Sequence, residues 1–270
     1  MIKGGKNRFK KFYFAFMLFF LYIPFVPLFL FSFNASRSLT NWAGFSLQWY
    51  EKLMVDADIA LAVINTIFIA VIATFLSVLI GTLAAIALSR SRKIIRDWLL
   101  RVNNLPIVNP EIVTAVAMLL LFISLGIPTG YLTMLLAHIG FCTPYVIITI
   151  YPKLRGLDPN VLEAAQDLGA TPWQAIWKVL VPQIKTSIIA AAAIAFTMSF
   201  DDFIISYFTA GSVKNISIYL YTTKRRDPAV NAFSTIITLI VSLVVIGNHL
   251  RESRQLKKER GLLKENEKAI

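Results

Sequence analysis

The chain has 270 residues, 57% hydrophobic and 16% charged, with a mean hydropathy of +0.66, which is too apolar for an ordinary water-soluble domain. A formal net charge of +12 would suit nucleic acid, but Lys and Arg sit in short segments between long apolar runs, as in membrane proteins, so nucleic acid is excluded as a partner. The single cysteine, Cys142, excludes an internal disulfide and a cysteine-rich metal site.

A helix crosses the hydrocarbon core with about 20 apolar residues. Such runs occupy positions 12–33, 59–88, 102–125, 131–150, 186–209 and 230–246. The expected fold is all-α, a polytopic membrane bundle of six transmembrane helices. The first run follows Lys3, Lys6, Arg8, Lys10 and Lys11. It is longer than the roughly 7–15 residues of a signal-peptide core and has no small-x-small cleavage site, so it reads as a retained anchor. The chain then divides into an N-terminal segment 1–11, a membrane domain 12–248 and a tail 249–270.

With both termini cytoplasmic, 21 of the 27 Lys and Arg lie inside, as the positive-inside rule requires. Lys224, Arg225 and Arg226 form the local exception outside. The tail mixes Arg251, Lys257, Lys258 and Arg260 with Glu252, Glu259, Glu265 and Glu267, and reads as a solvated helix end, with a lipid-headgroup role as the alternative. In the third run Pro106 and Pro110 lack amide hydrogens, so that helix should break near residues 109–111. Broken backbone at membrane depth lines a cavity.

The loop 152–185 between the fourth and fifth runs carries helix signals. Asp158 and Pro159 are an N-cap and a first-turn proline, good helix formers follow over 161–168, and Gly169 is a natural stop. Thr171, Pro172 and Gln174 then start a second short helix, by a capping box, expected to end near Leu180 before Pro182. Capping alone leaves two readings, an amphipathic hairpin on the membrane surface or a docking element.

Glu163, Ala164 and Ala165, Gly169 four positions after Ala165, and Leu180, Val181 and Pro182 resemble the EAA loop of ABC-importer permeases. The resemblance extends to the spermidine/putrescine permeases, the second subunit of the pair. It runs through Ser32, Phe33 and Asn34; Asn41, Trp42, Gly44 and Phe45; Trp49 and Tyr50; residues 109–113; Asp201 and Asp202; and Asp227, Pro228, Val230, Asn231 and Ala232. Glu111 departs from it, because the related permeases carry aspartate there. The resemblance implies that Glu163, Ala164, Ala165, Gly169 and Pro182 couple the chain to an ATPase. It also implies pairing with a homologous permease, two ATPase subunits and an external solute-binding protein in a bacterial plasma (inner) membrane. The chain has no G-x-x-x-x-G-K-[ST] loop, so the motor is another polypeptide; neither a catalytic residue nor a cofactor is expected.

Ionisable groups inside spans are costly and default to functional candidates. Glu111 lies ten residues past Arg101, or roughly 15 Å along a straight helix, and Asp201 sixteen past Lys185, or about 24 Å. These depths predict carboxylates at two levels of a cation pathway: Glu111 at one, and Asp201 or Asp202 at the other. Adjacent helical residues differ by about 100°, so only one aspartate faces the lumen. The bland alternative is that the acids pair with buried Asn, Ser or Thr and hold the bundle together. Tyr145 and Tyr207 are the aromatic candidates for cation–π contact with an ammonium group, with Trp49 and Tyr219 behind them. Trp49 also suits an interfacial belt or a binding-protein dock. His138 reads as a hydrogen-bonded packing residue, since no other His or Cys lies near it in sequence. Two rival functions remain: a permease for another small solute such as an aminophosphonate, which favours basic lining, and an ion-coupled secondary carrier, which internal inverted repeats would support.

Overall fold

A computed structural model of the chain describes residues 3–38, 40–158, 160–222, 228–243, 246–247 and 250. Pro159, Lys224, Arg225, Arg226, Asp227, His249 and the tail from 251 onward lie outside the described residues. The expected all-α class is borne out: among the described residues the only β feature is an isolated bridge between Asn34 and Phe45. The helices divide between two compact units, Met1–Ala57 with Thr223–Ile270, and Asp58–Thr222.

The first unit holds α1 (Lys3–Tyr22), α2 (Phe25–Ser32) and α3 (Gln48–Val55), together with a shorter apolar helix, Ala229–Leu243. The anchor expected over 12–33 is bent by 45° between α1 and α2. Pro24 at the break has no amide to donate, so the helical hydrogen-bond ladder, which Ile23 N still continues to the Phe19 carbonyl at 2.9 Å, is interrupted there. Between α2 and α3 the chain is tied around Asn34. Its Nδ2 donates to the Ser38 and Asn41 carbonyls, both at 2.9 Å, while its Oδ1 accepts from Ala43 N at 2.8 Å. Trp49 is buried and donates its indole N–H to the Asn34 carbonyl at 2.6 Å. It is therefore a structural residue of this loop and not an exposed belt or dock.

The second unit runs through α4 (Ala57–Arg90), α5 (Lys93–Val108), α6 (Glu111–Ser124), α7 (Tyr131–Arg155), α8 (Val161–Asp167), α9 (Pro172–Gln174), a π-helical stretch Ala175–Leu180, α10 (Val181–Phe200), α11 (Ile204–Thr209) and α12 (Ile216–Thr222). Three helical stretches, Ala57–Arg90, Tyr131–Arg155 and Pro172–Phe200, are each long and apolar enough to cross a bilayer. The two bent pairs bring the number to five, and Ala229–Leu243 follows as the shorter apolar helix. The core of this unit is built from α7 against α10, where Val146, Ile150, Ile184, Ala191 and Ala195 are all fully buried. Small residues along α10 let the helix axes approach, the usual device where lipid supplies no hydrophobic drive between helices.

Helices approach closely where α4 meets α7. A methyl group added at Gly81 would lie 2.6 Å from Val146 Cγ1 and 2.8 Å from its Cβ. The Cβ is rooted in the α7 backbone, so the helices themselves would have to separate. Gly81→Ala is expected to cost about 1–3 kcal/mol through overpacking. Gly140→Ala, whose added methyl meets only the flexible Met118 tip at 3.3 Å, should cost much less. Thermal unfolding of the two detergent-solubilised variants checks this ranking, and equal melting temperatures would refute it.

The broken third span is present where the prolines place it. Helix α5 contains Pro106 and ends at Val108, and α6 starts at Glu111 after a 105° turn. The fifth span differs from expectation at both ends. The second loop helix does not stop before Pro182 but runs on as one rod, Pro172–Phe200. Pro182 falls in the first turn of α10, and the turns before it widen into the π-helical stretch. A wider turn accommodates a residue that cannot donate to the carbonyl four positions back. At the far end, the span expected over 186–209 breaks after Phe200 and restarts at Ile204.

Candidate substrate pathway

The two helix breaks, at 109–110 and 201–203, face one cavity of about 570 Å³. The α5–α6 turn contributes Pro106, Asn109 and Glu111; α7 contributes Phe141 and Tyr145; the end of α10 and the break after it contribute Thr197, Asp201, Asp202 and Phe203. The carboxylates expected at two depths are therefore neighbours. The straight-rise depth of Glu111 fails because the chain turns by 105° immediately before it. As the first residue of α6, Glu111 also sits at a helix N-terminus, where the exposed amides favour a negative charge. Its side chain shares the cavity lining with Asp201 and Asp202.

The two aspartates sit in different surroundings. Asp202 is 5% exposed. Its Oδ1 accepts from Ile205 N at 3.1 Å, and its Oδ2 accepts from Ser206 N and Ser206 Oγ, both at 2.7 Å. These bonds satisfy two orphan amides at the start of α11, the work of a helix cap. Behind them His138 bridges helices, with Nδ1 at 2.7 Å from Ser199 Oγ and Nε2 at 2.9 Å from Ser206 Oγ and 3.4 Å from Asp202 Oδ2. Asn215 completes the set by donating to Ser206 Oγ at 2.8 Å and to the Asp202 carbonyl at 3.2 Å. One assignment satisfies the shared atoms: Ser206 donates to Asp202, His138 donates from Nε2 to Ser206, and Ser199 donates to Nδ1. The packing role expected for His138 fits this network.

Asp201 is the exposed one of the pair. Its amide continues the last turn of α10 and its carbonyl accepts from Ser217 Oγ at 3.3 Å. Among the described residues no other side chain hydrogen-bonds or ion-pairs with its carboxylate.

Of the aromatic candidates, Tyr145 lines the cavity, with Phe141 edge-on to it at 5.6 Å. Tyr207 does not line it. Helix α11 starts afresh after the break, and Tyr207, one turn on from Phe203, packs against the Phe203 ring at 5.3 Å and edge-on to Phe208 and Tyr221. Asn109 lies in the break expected to line a cavity, whereas Phe141, Phe203 and Thr197 are lining residues missed from the sequence. Phe141 alone had a usable signal, since it sits one helical turn before Tyr145 and so shares its face.

The loop residues lie on α8 and the turn after it. Leu162 and Ala165 are buried, whereas Glu163 and Ala164 are exposed. Asp158 Oδ1 accepts from Asn160 N at 2.9 Å, and Gly169 turns the chain at a φ of +88°. The capping box is formed: Thr171 Oγ1 accepts from Gln174 N at 3.3 Å, and Thr171 N donates to Gln174 Oε1 at 3.1 Å. Pro182 is exposed.

Residues 77–248 match the family described as "Binding-protein-dependent transport system inner membrane component". The chain belongs to this family. It is a multi-pass inner-membrane transport component, not an enzyme, and its system includes a binding protein. It is 36% identical over 234 residues to the spermidine/putrescine transport system permease protein PotC of Escherichia coli (strain K12), covering 86% of this chain and 89% of that one. It is 34% identical over 274 residues to the PotC homolog of Mycoplasma genitalium, covering 94% and 96%. The putrescine transport system permease protein PotI of Escherichia coli (strain K12) is 37% identical over 235 residues, covering 83% and 84%. The fold also matches a chain of a bacterial ABC transporter involved in the import of the acidic polysaccharide alginate, with a TM-score of 0.71 at 17% identity, covering 92% of this chain and 99% of that one. At that identity the likeness is one of fold alone.

Proposed function

We propose that this chain is the permease subunit of an ATP-driven importer of polyamines such as spermidine or putrescine. One observation carries the choice of cargo: two helix breaks bring Glu111, Asp201 and Asp202 to one cavity whose other walls include Phe141, Tyr145 and Phe203. Grouped carboxylates attract ammonium groups, and aromatic faces add cation–π attraction. The described lining holds no Lys or Arg, which is the wrong sign for an aminophosphonate. The names of the relatives point to the same class of cargo.

In this reading both termini are cytoplasmic, and the membrane domain 12–248 forms half of the pathway beside a homologous permease. Two ATPase subunits dock on the loop through Glu163, Ala164, Ala165, Gly169 and Pro182, and a solute-binding protein delivers cargo from outside. Asp201 and Glu111 meet the cargo, while Asp202 holds the break open between them. Tyr145 offers an aromatic face, and Tyr207 acts by supporting Phe203.

Uptake of radiolabelled spermidine by vesicles holding the assembled transporter tests this. Glu111→Gln removes one charge without changing side-chain size and is expected to lower uptake at sub-saturating cargo by about tenfold, the equivalent of about 1.4 kcal/mol. Unchanged uptake would remove Glu111 from the pathway, and a wild-type transporter inert towards every polyamine would overturn the cargo assignment.

A further inference from the structure

The two carboxylates given to the cargo are carried by different helices. Asp201 follows directly on α10, and its amide donates to the Thr197 carbonyl at 3.2 Å, so it moves with that helix. Glu111 is the first residue of α6, and α6 packs chiefly against α11. The separation of the two charges is therefore set by how α10 and α11 sit across the break at 201–203, where no continuous helical ladder joins them.

His138 spans that break. Its ring is 1% exposed on α7, with Nδ1 2.7 Å from Ser199 Oγ in the last turn of α10 and Nε2 2.9 Å from Ser206 Oγ in α11. One imidazole thus grips the chain on both sides of Asp201. The ring has no rotatable bond between its two nitrogens, so covalent geometry fixes the span. Asn215 also reaches the break, but its amide holds the Asp202 carbonyl and Ser206, not α10. His138, Phe141 and Tyr145, spaced by three and four residues, share one face of α7. The last two line the cavity, so the clasp is in register with its aromatic wall.

We infer that His138 is the positioning residue that sets the spacing of Glu111 and Asp201, and with it the length of polyamine that the pathway prefers. The inference rests on the cargo assignment above. Two anionic groups at a fixed spacing discriminate between ammonium groups on a shorter and a longer alkyl chain. At a loose spacing either chain finds a conformation that meets both, and the difference of affinities that constitutes specificity is lost.

The test is uptake of radiolabelled spermidine and of putrescine by the same vesicles holding the assembled transporter, each with the binding protein saturated by that cargo. The ratio of the two rates reports steps after delivery, and the amount of folded transporter cancels from it. Wild type is expected to favour one of the two. In His138→Asn the shorter side chain can keep the Ser199 bond but falls short of Ser206. Ser199→Ala cuts the opposite end of the clasp with little change in volume. Each should move the ratio towards one by about three- to tenfold, the worth of a single hydrogen bond. The double variant should move it no further than either alone, because both cut one link. Cys142→Ala loosens the contact of α7 with α10 at Ala195, which lies on one side of the break only, and should leave the ratio where it was. The inference is overturned by a wild type that takes up both cargoes equally, by a folded His138→Asn or Ser199→Ala transporter with the wild-type ratio, or by a Cys142→Ala variant that shifts it as far. Those results leave the cargo assignment standing, whereas a wild type inert towards both polyamines removes the assignment and this inference with it.

Discussion

Asp201→Asn in the assembled transporter is expected to reduce spermidine uptake by about 10- to 100-fold without lowering the amount of folded protein, whereas Asp202→Asn is expected to lower the folded protein itself. The asymmetry follows from what each carboxylate holds. Asp201 is exposed at the cavity with no other described side chain bound to its carboxylate, so the structure does not need its charge but a passing ammonium group does. Truncating one partner of a desolvated, hydrogen-bonded charge pair costs 2–5 kcal/mol or more. The cavity is open, so a loss of about 1.4–2.8 kcal/mol is the better expectation, which is one to two powers of ten. Asp202 accepts three hydrogen bonds at the start of α11 and faces His138. An amide supplies one acceptor oxygen where the site uses two, and the NH₂ group is set against donors, at a cost of about 1–3 kcal/mol. Uptake normalised to the amount of monodisperse transporter separates the two effects. Normal uptake by Asp201→Asn would remove that residue from the pathway, and a fully stable Asp202→Asn would contradict the capping role.

Gly169→Pro is expected to abolish coupling between ATP hydrolysis and transport. Gly169 adopts a φ of +88° and its amide donates to the Gln166 carbonyl at 2.8 Å. Proline is fixed near −65° and has no amide hydrogen, so the turn between α8 and α9 cannot form as it stands. Gly169→Ala is the informative partner, because space around the added methyl is open and only the left-handed backbone opposes it, by about 1–2 kcal/mol. On the proposed reading, the proline variant should show ATPase activity that no longer responds to the loaded binding protein, and the alanine variant should retain most of the response. A proline variant that couples normally would mean that this turn is not the contact through which the ATPase acts.

How far the sequence revealed these features depended on whether their cause was local. The break before Glu111 was legible because Pro106 and Pro110 remove donors wherever they stand, and the Thr171–Gln174 box because its two bonds span three residues. Pro182 misled, since a proline ten residues into a helical run ordinarily ends it, and only the π-helical widening before it lets the helix continue. The break at 201–203 was hidden by the apolar residues on both sides of it, which read as one span. Its cause is the Asp202 cap, which is itself held by His138 from α7 and Asn215 beyond α11, partners far away in sequence. Tyr207 was a candidate by residue type alone, and the fresh start of α11 after the break sets its ring against Phe203, which lines the cavity in its place.

The continuous rod from Pro172 to Phe200 has a mechanical consequence. It carries the capping box of the loop at one end and stops one residue before Asp201 at the other, with 29 residues and roughly 40 Å between them. A loop helix separated from its span by a flexible joint would dissipate a push; a single rod behaves as a lever. On the proposed reading, a rotation of a few degrees imposed by an ATPase at the loop would shift the Asp201 carboxylate by a few ångströms, enough to make or release a contact with an ammonium group. The cargo-facing charge would then be moved by the same backbone that receives the stroke.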